Sequence, residues 1–142
     1  MPLARALLVW LVIVGTETLH GIARTLLLEP RVGDLRARQI AVFTGSLLIL
    51  AIATASVRWI GAESRGQLLA IGGAWLVLTL AFEVVAGRWI AGYSWDRVAA
   101  DFDPSRGGLL LFGMIVLALA PLIAARIRAV SVGKRDPGAS GR

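Results

Sequence analysis

QIAVFTGSLLILAIATASV, Gln39 to Val57, is a run of 19 residues without a charge, held between Arg38 and Arg58. The hydrocarbon core of a bilayer is about 30 Å thick and a helix rises about 1.5 Å per residue, so roughly 20 mostly apolar residues are needed to cross it. The run is long enough, and it has a counterpart: Gly107 to Ala125, between Arg106 and Arg126, is again 19 uncharged residues. Between these two, Gly66 to Phe82 is uncharged for 17 residues and stays largely apolar through Glu83 to Ile90. Near the N-terminus Ala6 to Val14 is purely apolar, Gly15 to Arg24 is mixed, and Leu26, Leu27 and Leu28 resume before Glu29 and Pro30. Four spans follow, over residues 5–28, 39–60, 66–90 and 107–126. The expected fold is an all-α integral membrane four-helix bundle of two antiparallel hairpins, one transmembrane domain over residues 1–128.

Composition points the same way. The 142 residues are 57% hydrophobic and 17% charged, against about 45–50% and about 25% in soluble domains. There is no cysteine, which excludes a disulfide scaffold. A cleaved signal peptide is the alternative for the first segment, with Arg5 before the apolar run and Gly21-Ile22-Ala23 as a small-residue site. Glu17, His20 and the second apolar run favour a retained helix.

Orientation rests on the lysines and arginines outside the spans. With both termini cytoplasmic, Arg5, Arg58, Arg65, Arg126, Arg128, Lys134, Arg135 and Arg142 share their side; Arg24, Arg31, Arg36, Arg38, Arg88, Arg97 and Arg106 lie opposite. The bias is small and places the termini inside, in a bacterial inner membrane. Trp59 and Trp89 suit the interfacial aromatic belt, whereas Trp10 and Trp75 lie deeper and serve packing. Gly66, Ala70 and Ala74, and likewise Ala51 and Ala55, are spaced to let helices approach closely. Pro121 is expected to kink the fourth span.

Among the connections, Glu29 to Arg38 holds the turn residues Pro30 and Gly33-Asp34, and Gly61 to Arg65 is tight. Before the fourth span, Ser94 can cap a short helix in which Trp95, Val98, Ala99 and Phe102 make an apolar stripe opposite Asp96, Arg97 and Asp101. Asp103-Pro104 stops it. This is expected to be an interfacial helix or, equally, a solvated turn packed on its neighbours. Residues 129–142, small, polar and basic, are expected to be a disordered tail. The net charge of +6 is spread over loops and tail without an aromatic-lined groove, so no nucleic-acid partner is expected.

The ionisable residues inside the spans gather toward one end. In four antiparallel helices, Glu17, His20 and Arg24 of the first span, Arg38 and Gln39 of the second, and Glu83 and Arg88 of the third all fall in one half of the bilayer. Charges there are disfavoured by about 2.5–3.5 kcal/mol unless paired, so a buried intramembrane cluster paired across helices is expected. Its role stays open between a proton- or ion-coupled site and a network that fixes helix register or docks a partner. Glu17-x-x-x-Gly21 and Glu83-x-x-x-Gly87, with Gly45-Ser46-Leu47-Leu48 and Gly107-Gly108-Leu109-Leu110, form a faint echo that a parallel repeat or chance similarity would produce. One histidine and no cysteine are too few for a di-metal bundle site, and no serine sits with His20 as a nucleophile. Neither a metal, another cofactor nor a catalytic residue is assigned.

The segments Glu17-Thr18-Leu19-His20-Gly21-Ile22-Ala23-Arg24, Arg38 to Ser46, Ala81 to Trp89 and Ser94-Trp95-Asp96-Arg97 give the chain a further aspect. There it resembles small bacterial four-span inner-membrane proteins without an assigned activity. The resemblance covers most of Ala6 to Arg126 and implies the architecture alone. The expected role is an accessory or assembly subunit of a membrane complex, or a self-associating membrane protein. The alternative is a small proton-linked transporter or channel acting as an oligomer.

Overall fold

The computed structural model describes residues 2–128. Their regular structure is helical: α1 Pro2–Ala23, α2 Glu29–Val32, α3 Asp34–Ile60, α4 Arg65–Val85, α5 Trp95–Asp101 and α6 Leu110–Ile127. Two π-helical segments, Arg24–Leu28 and Ala86–Ile90, continue α1 and α4, and a 3-10 turn, Pro104–Arg106, precedes α6. With these continuations four helices are long and apolar enough to cross a membrane: Pro2–Val32, Asp34–Ile60, Arg65–Ile90 and Leu110–Ile127. The segment expected to be a disordered tail, 129–142, lies outside the described residues.

α3 packs on both α1 and α6, α6 packs on α4, and α1 meets α4 more sparingly. The shared core includes Ile13, Ile49, Leu68, Trp75 and Leu117. The two deep tryptophans do more than fill space. Trp75 is fully buried and its Nε1 donates to the Ala6 carbonyl at 2.9 Å, while Trp10 Nε1 donates to Thr79 Oγ1 at 2.9 Å. These two bonds tie α1 to α4. In apolar surroundings an indole N–H left without an acceptor is costly.

Helix approach uses different small residues from those the spacing suggested. Gly66, Ala70, Ala51 and Ala55 are exposed and Ala74 is half-buried, whereas Gly72, Ala53, Ala120 and Ala124 are buried. At Gly72 a Cβ would collide with the Ala118 backbone carbonyl, so α4 and α6 touch backbone to backbone there. The large side chains of Leu68, Ile71 and Trp75 set which face of α4 turns inward, because their burial removes the most apolar area from solvent. Residues on the opposite face stay outside however small they are.

The element bounds shift for local reasons. Instead of a loop over Glu29 to Arg38, the chain stays helical to Val32, breaks at Gly33 (φ 86°) and restarts at Asp34. Pro30 sits where the π-helical segment passes into α2, and without an N–H it makes no bond to the preceding turn. At the other end, α6 begins at Leu110 rather than Gly107, because Gly107 takes a left-handed φ of 82° after the 3-10 turn. The second connection is tight as expected, and Ser64, which the sequence reading did not single out, caps α4, its Oγ accepting from the Gln67 N–H at 3.1 Å. Pro121 lies buried within a continuous α6.

Candidate functional site

Beyond the tryptophan contacts, α1 and α4 line a cavity of about 510 Å³, walled also by α3 and α6. Ile13, Ile49, Met114 and Leu117 make its deep end apolar. Toward the π-helical ends it is lined by Glu17, His20, Arg24, Arg38, Gln39 and Glu83. A smaller cavity of about 90 Å³ shares Arg24, Arg38, Glu83 and Asp101 with it and is roofed by Arg97, Val98 and Phe102 at α5.

Glu17 leans onto α3. A Cβ at Gly45 would sit 2.8 Å from Glu17 Oε2, so glycine there gives the carboxylate its room. The other face of Glu17 meets its own helix: Oε2 is 3.6 Å from His20 Nδ1. His20 Nε2 lies 2.7 Å from Thr44 Oγ1 of α3. Glu17, His20 and Thr44 thus form a short polar line crossing from α1 to α3, with Glu17 and His20 on the cavity wall.

Arg38 turns away from both glutamates. It binds Asp34 one turn back, with Nη2 and Nε at 2.9 and 3.1 Å from Oδ2, and pairs through Nη1 with Asp101 of α5. Arg97 of α5 completes an alternating set by donating to Asp34 Oδ1 at 3.0 Å. The set Arg97, Asp34, Arg38, Asp101 bolts α5 to the start of α3. Gln39 adds a bond from Nε2 to the Gly107 carbonyl at 3.0 Å. Ser94 Oγ accepts from the Arg97 N–H to cap α5. Of the expected stripe, Val98 is buried and Phe102 packs on the core, while Trp95 is 53% exposed and meets Trp89 edge-on at 5.8 Å.

Arg88 lies outside the cavity. Its Nη1 donates to the Tyr93 carbonyl at 3.3 Å and its guanidinium stacks over Trp95 at 5.4 Å. The π-helical turn that begins at Ala86 explains this, since the wider turn rotates later residues away from their α-helical positions. Nearby, Arg106 pairs with Asp96 at 2.9 Å on the surface. The Ser105 hydroxyl, donating to Asp103 at 2.6 Å, holds that exposed carboxyl below its ordinary range, helped by the Ser105 N–H.

The expected buried, cross-paired cluster is therefore corrected. Among the described residues no polar or charged residue is buried, and no ion pair joins Glu17 or Glu83 to an arginine. Six of the seven residues line a cavity; Arg88 does not. Arg38 finds closer acids in Asp34 and Asp101, which sequence reasoning assigned to solvated connections. The spacing Asp34-x-x-x-Arg38 is the one signal that could have revealed it. Three side-chain atoms at the site, Glu17 Oε1, Arg24 Nε and Arg97 Nε, are shut off from solvent without a hydrogen bond from the protein. Among the described residues no group of three or more His, Cys, Asp and Glu is placed to hold a metal ion. Comparison with protein-family models, curated proteins and solved structures gives no match.

Proposed function

We propose that the chain is a four-span protein of the bacterial inner membrane, two antiparallel helical hairpins with both termini in the cytoplasm. In this reading it works as a binding subunit of a membrane complex. All four long helices carry exposed apolar side chains, among them Leu19 (70% exposed), Phe43 (67%), Val77 (65%) and Ile115 (55%). In water such surface would drive association, whereas in lipid it is the ordinary exterior of a span. The observation that carries the functional reading is the cavity between α1 and α4. It is lined by Thr79, the acceptor of the Trp10 bond, and by apolar side chains at one end, and by charged groups toward the other. A pocket of this form supports holding a molecule more than conducting one.

Proton-linked transport by an oligomer is the second reading, favoured by the line from Glu17 through His20 to Thr44, which joins two titratable groups to a hydroxyl. Native mass spectrometry of the protein gently extracted from its own membrane separates the two. A stoichiometric foreign subunit is the expected result. The chain alone or only with itself, together with proton uptake in liposomes that Glu17→Gln abolishes, would overturn the binding-subunit reading in favour of transport.

A further inference from the structure

The charges at the junction of the two cavities are not all paired with one another. Arg38 and Arg97 are matched by Asp34 and Asp101. That leaves Arg24, a cation with no ion pair among the described residues, and Glu83, an anion in the same position, both lining the junction without pairing with each other. Arg24 and Arg97 both line this region, and the Nε of each is a donor without an acceptor among the described residues. A guanidinium with donors left free gains most from an oxyanion with several acceptor oxygens. A carboxylate held beside it calls for a cation with N–H donors, since a second anion would be repelled. The complementary ligand carries both charges a few bonds apart. Directly beyond lies the apolar end of the larger cavity, at Ile13, Ile49, Met114 and Leu117, which suits a hydrocarbon chain and not a polar solute.

The geometry points to a site for a zwitterionic lipid with a primary ammonium. Its phosphodiester would lie on Arg24 and Arg97, its ammonium on Glu83, and one acyl chain in the apolar part of the cavity between α1 and α4. The position along the helices agrees. Arg24 opens the π-helical end of the first long helix, and Arg97 belongs to the short helix that roofs the site, so both charges stand at headgroup depth when the four helices span a bilayer. Exposed Ile22, Leu26 and Ile90 border the cavity and give a lipid chain a route in from the side. Glu17 is not needed for this. It lies two turns before Arg24 and is turned onto Gly45 and His20.

This inference rests on the reading that the chain spans the membrane and holds a molecule in its cleft. It is tested by reconstituting the purified full chain in nanodiscs of equal phosphatidylethanolamine, phosphatidylcholine and phosphatidylglycerol, then releasing it in the mass spectrometer and counting retained lipid. One phosphatidylethanolamine per chain is expected, at least tenfold over the other two. The choline lipid has no N–H to give Glu83, and the glycerol lipid has no cation. Arg24→Gln should lower that retention tenfold or more, and Glu83→Gln should remove the preference over the choline lipid. Equal retention of the three lipids by the unmodified chain overturns the inference without reliance on any variant, as does undiminished retention by Arg24→Gln. Displacement of the retained lipid by millimolar O-phosphoethanolamine would overturn the lipid as the source and assign the site to a soluble aminophosphate. A chain that enters no nanodisc fails the membrane reading itself; one that enters and shows no lipid preference fails this inference alone.

Discussion

Gly45 and Gly72 each have an atom within reach of the Cβ they lack, but the two neighbours differ in how far they can yield. At Gly72 the obstacle is the Ala118 backbone carbonyl of the packed helix α6; at Gly45 it is the free end of the Glu17 side chain. Overpacking against backbone costs about 1–3 kcal/mol, so Gly72→Ala should destabilise by that amount in reversible unfolding in mixed micelles. Gly45→Ala should stay within about 0.5 kcal/mol, because the carboxylate can swing aside. It should instead disturb His20, seen as a shift of its ring nitrogen resonances. An unchanged unfolding midpoint for Gly72→Ala would contradict the close approach of α4 and α6. Neither role was legible in the sequence. Gly72 and its neighbour Gly73 look alike there, yet a Cβ on Gly73 would meet nothing within 4 Å.

The short helix α5 owes its place to charge rather than to its apolar stripe alone. Arg38 holds it through Asp101, and Asp34 holds it through Arg97. Hydrogen bonds to charged groups are worth about 1.5–3 kcal/mol each, and about 1.4 kcal/mol is a tenfold change in an opening equilibrium. Arg38→Gln should therefore raise hydrogen exchange of the Val98 to Phe102 amides by tenfold or more. Arg106→Gln, which breaks only the exposed pair with Asp96, should change exchange there by less than threefold, as surface pairs contribute about 0–1 kcal/mol. Equal effects of the two substitutions would show that α5 is held by packing. The sequence foretold the Ser94 cap, the helix and its end near Asp103, since these depend on neighbours along the chain. It did not foretell the ionic set, because Asp101 and Arg38 are 63 residues apart and meet only through the fold. The π-helical turns were equally hidden, and one of them carries Arg88 away from the polar cluster to which its place in the third span had assigned it.

For the molecule as a whole, the four long helices were plain from hydropathy, because each needs only a long apolar run. What the sequence could not supply was which helices part to leave a cavity, since that depends on how Trp10 and Trp75 brace α1 against α4 at one end. The central claim is that the exposed apolar faces meet lipid, and the absence of native cysteines makes it directly testable by single cysteines in intact membranes. Val77 is 65% exposed on the protein surface and lies within α4, while Glu63 is exposed in the connection before that helix. A water-soluble maleimide applied to opened membranes should label Glu63→Cys readily and leave Val77→Cys at least tenfold slower, with the difference lost after denaturation in detergent. Equal labelling of the two in native membranes would contradict the account, because Val77 would then face water rather than lipid.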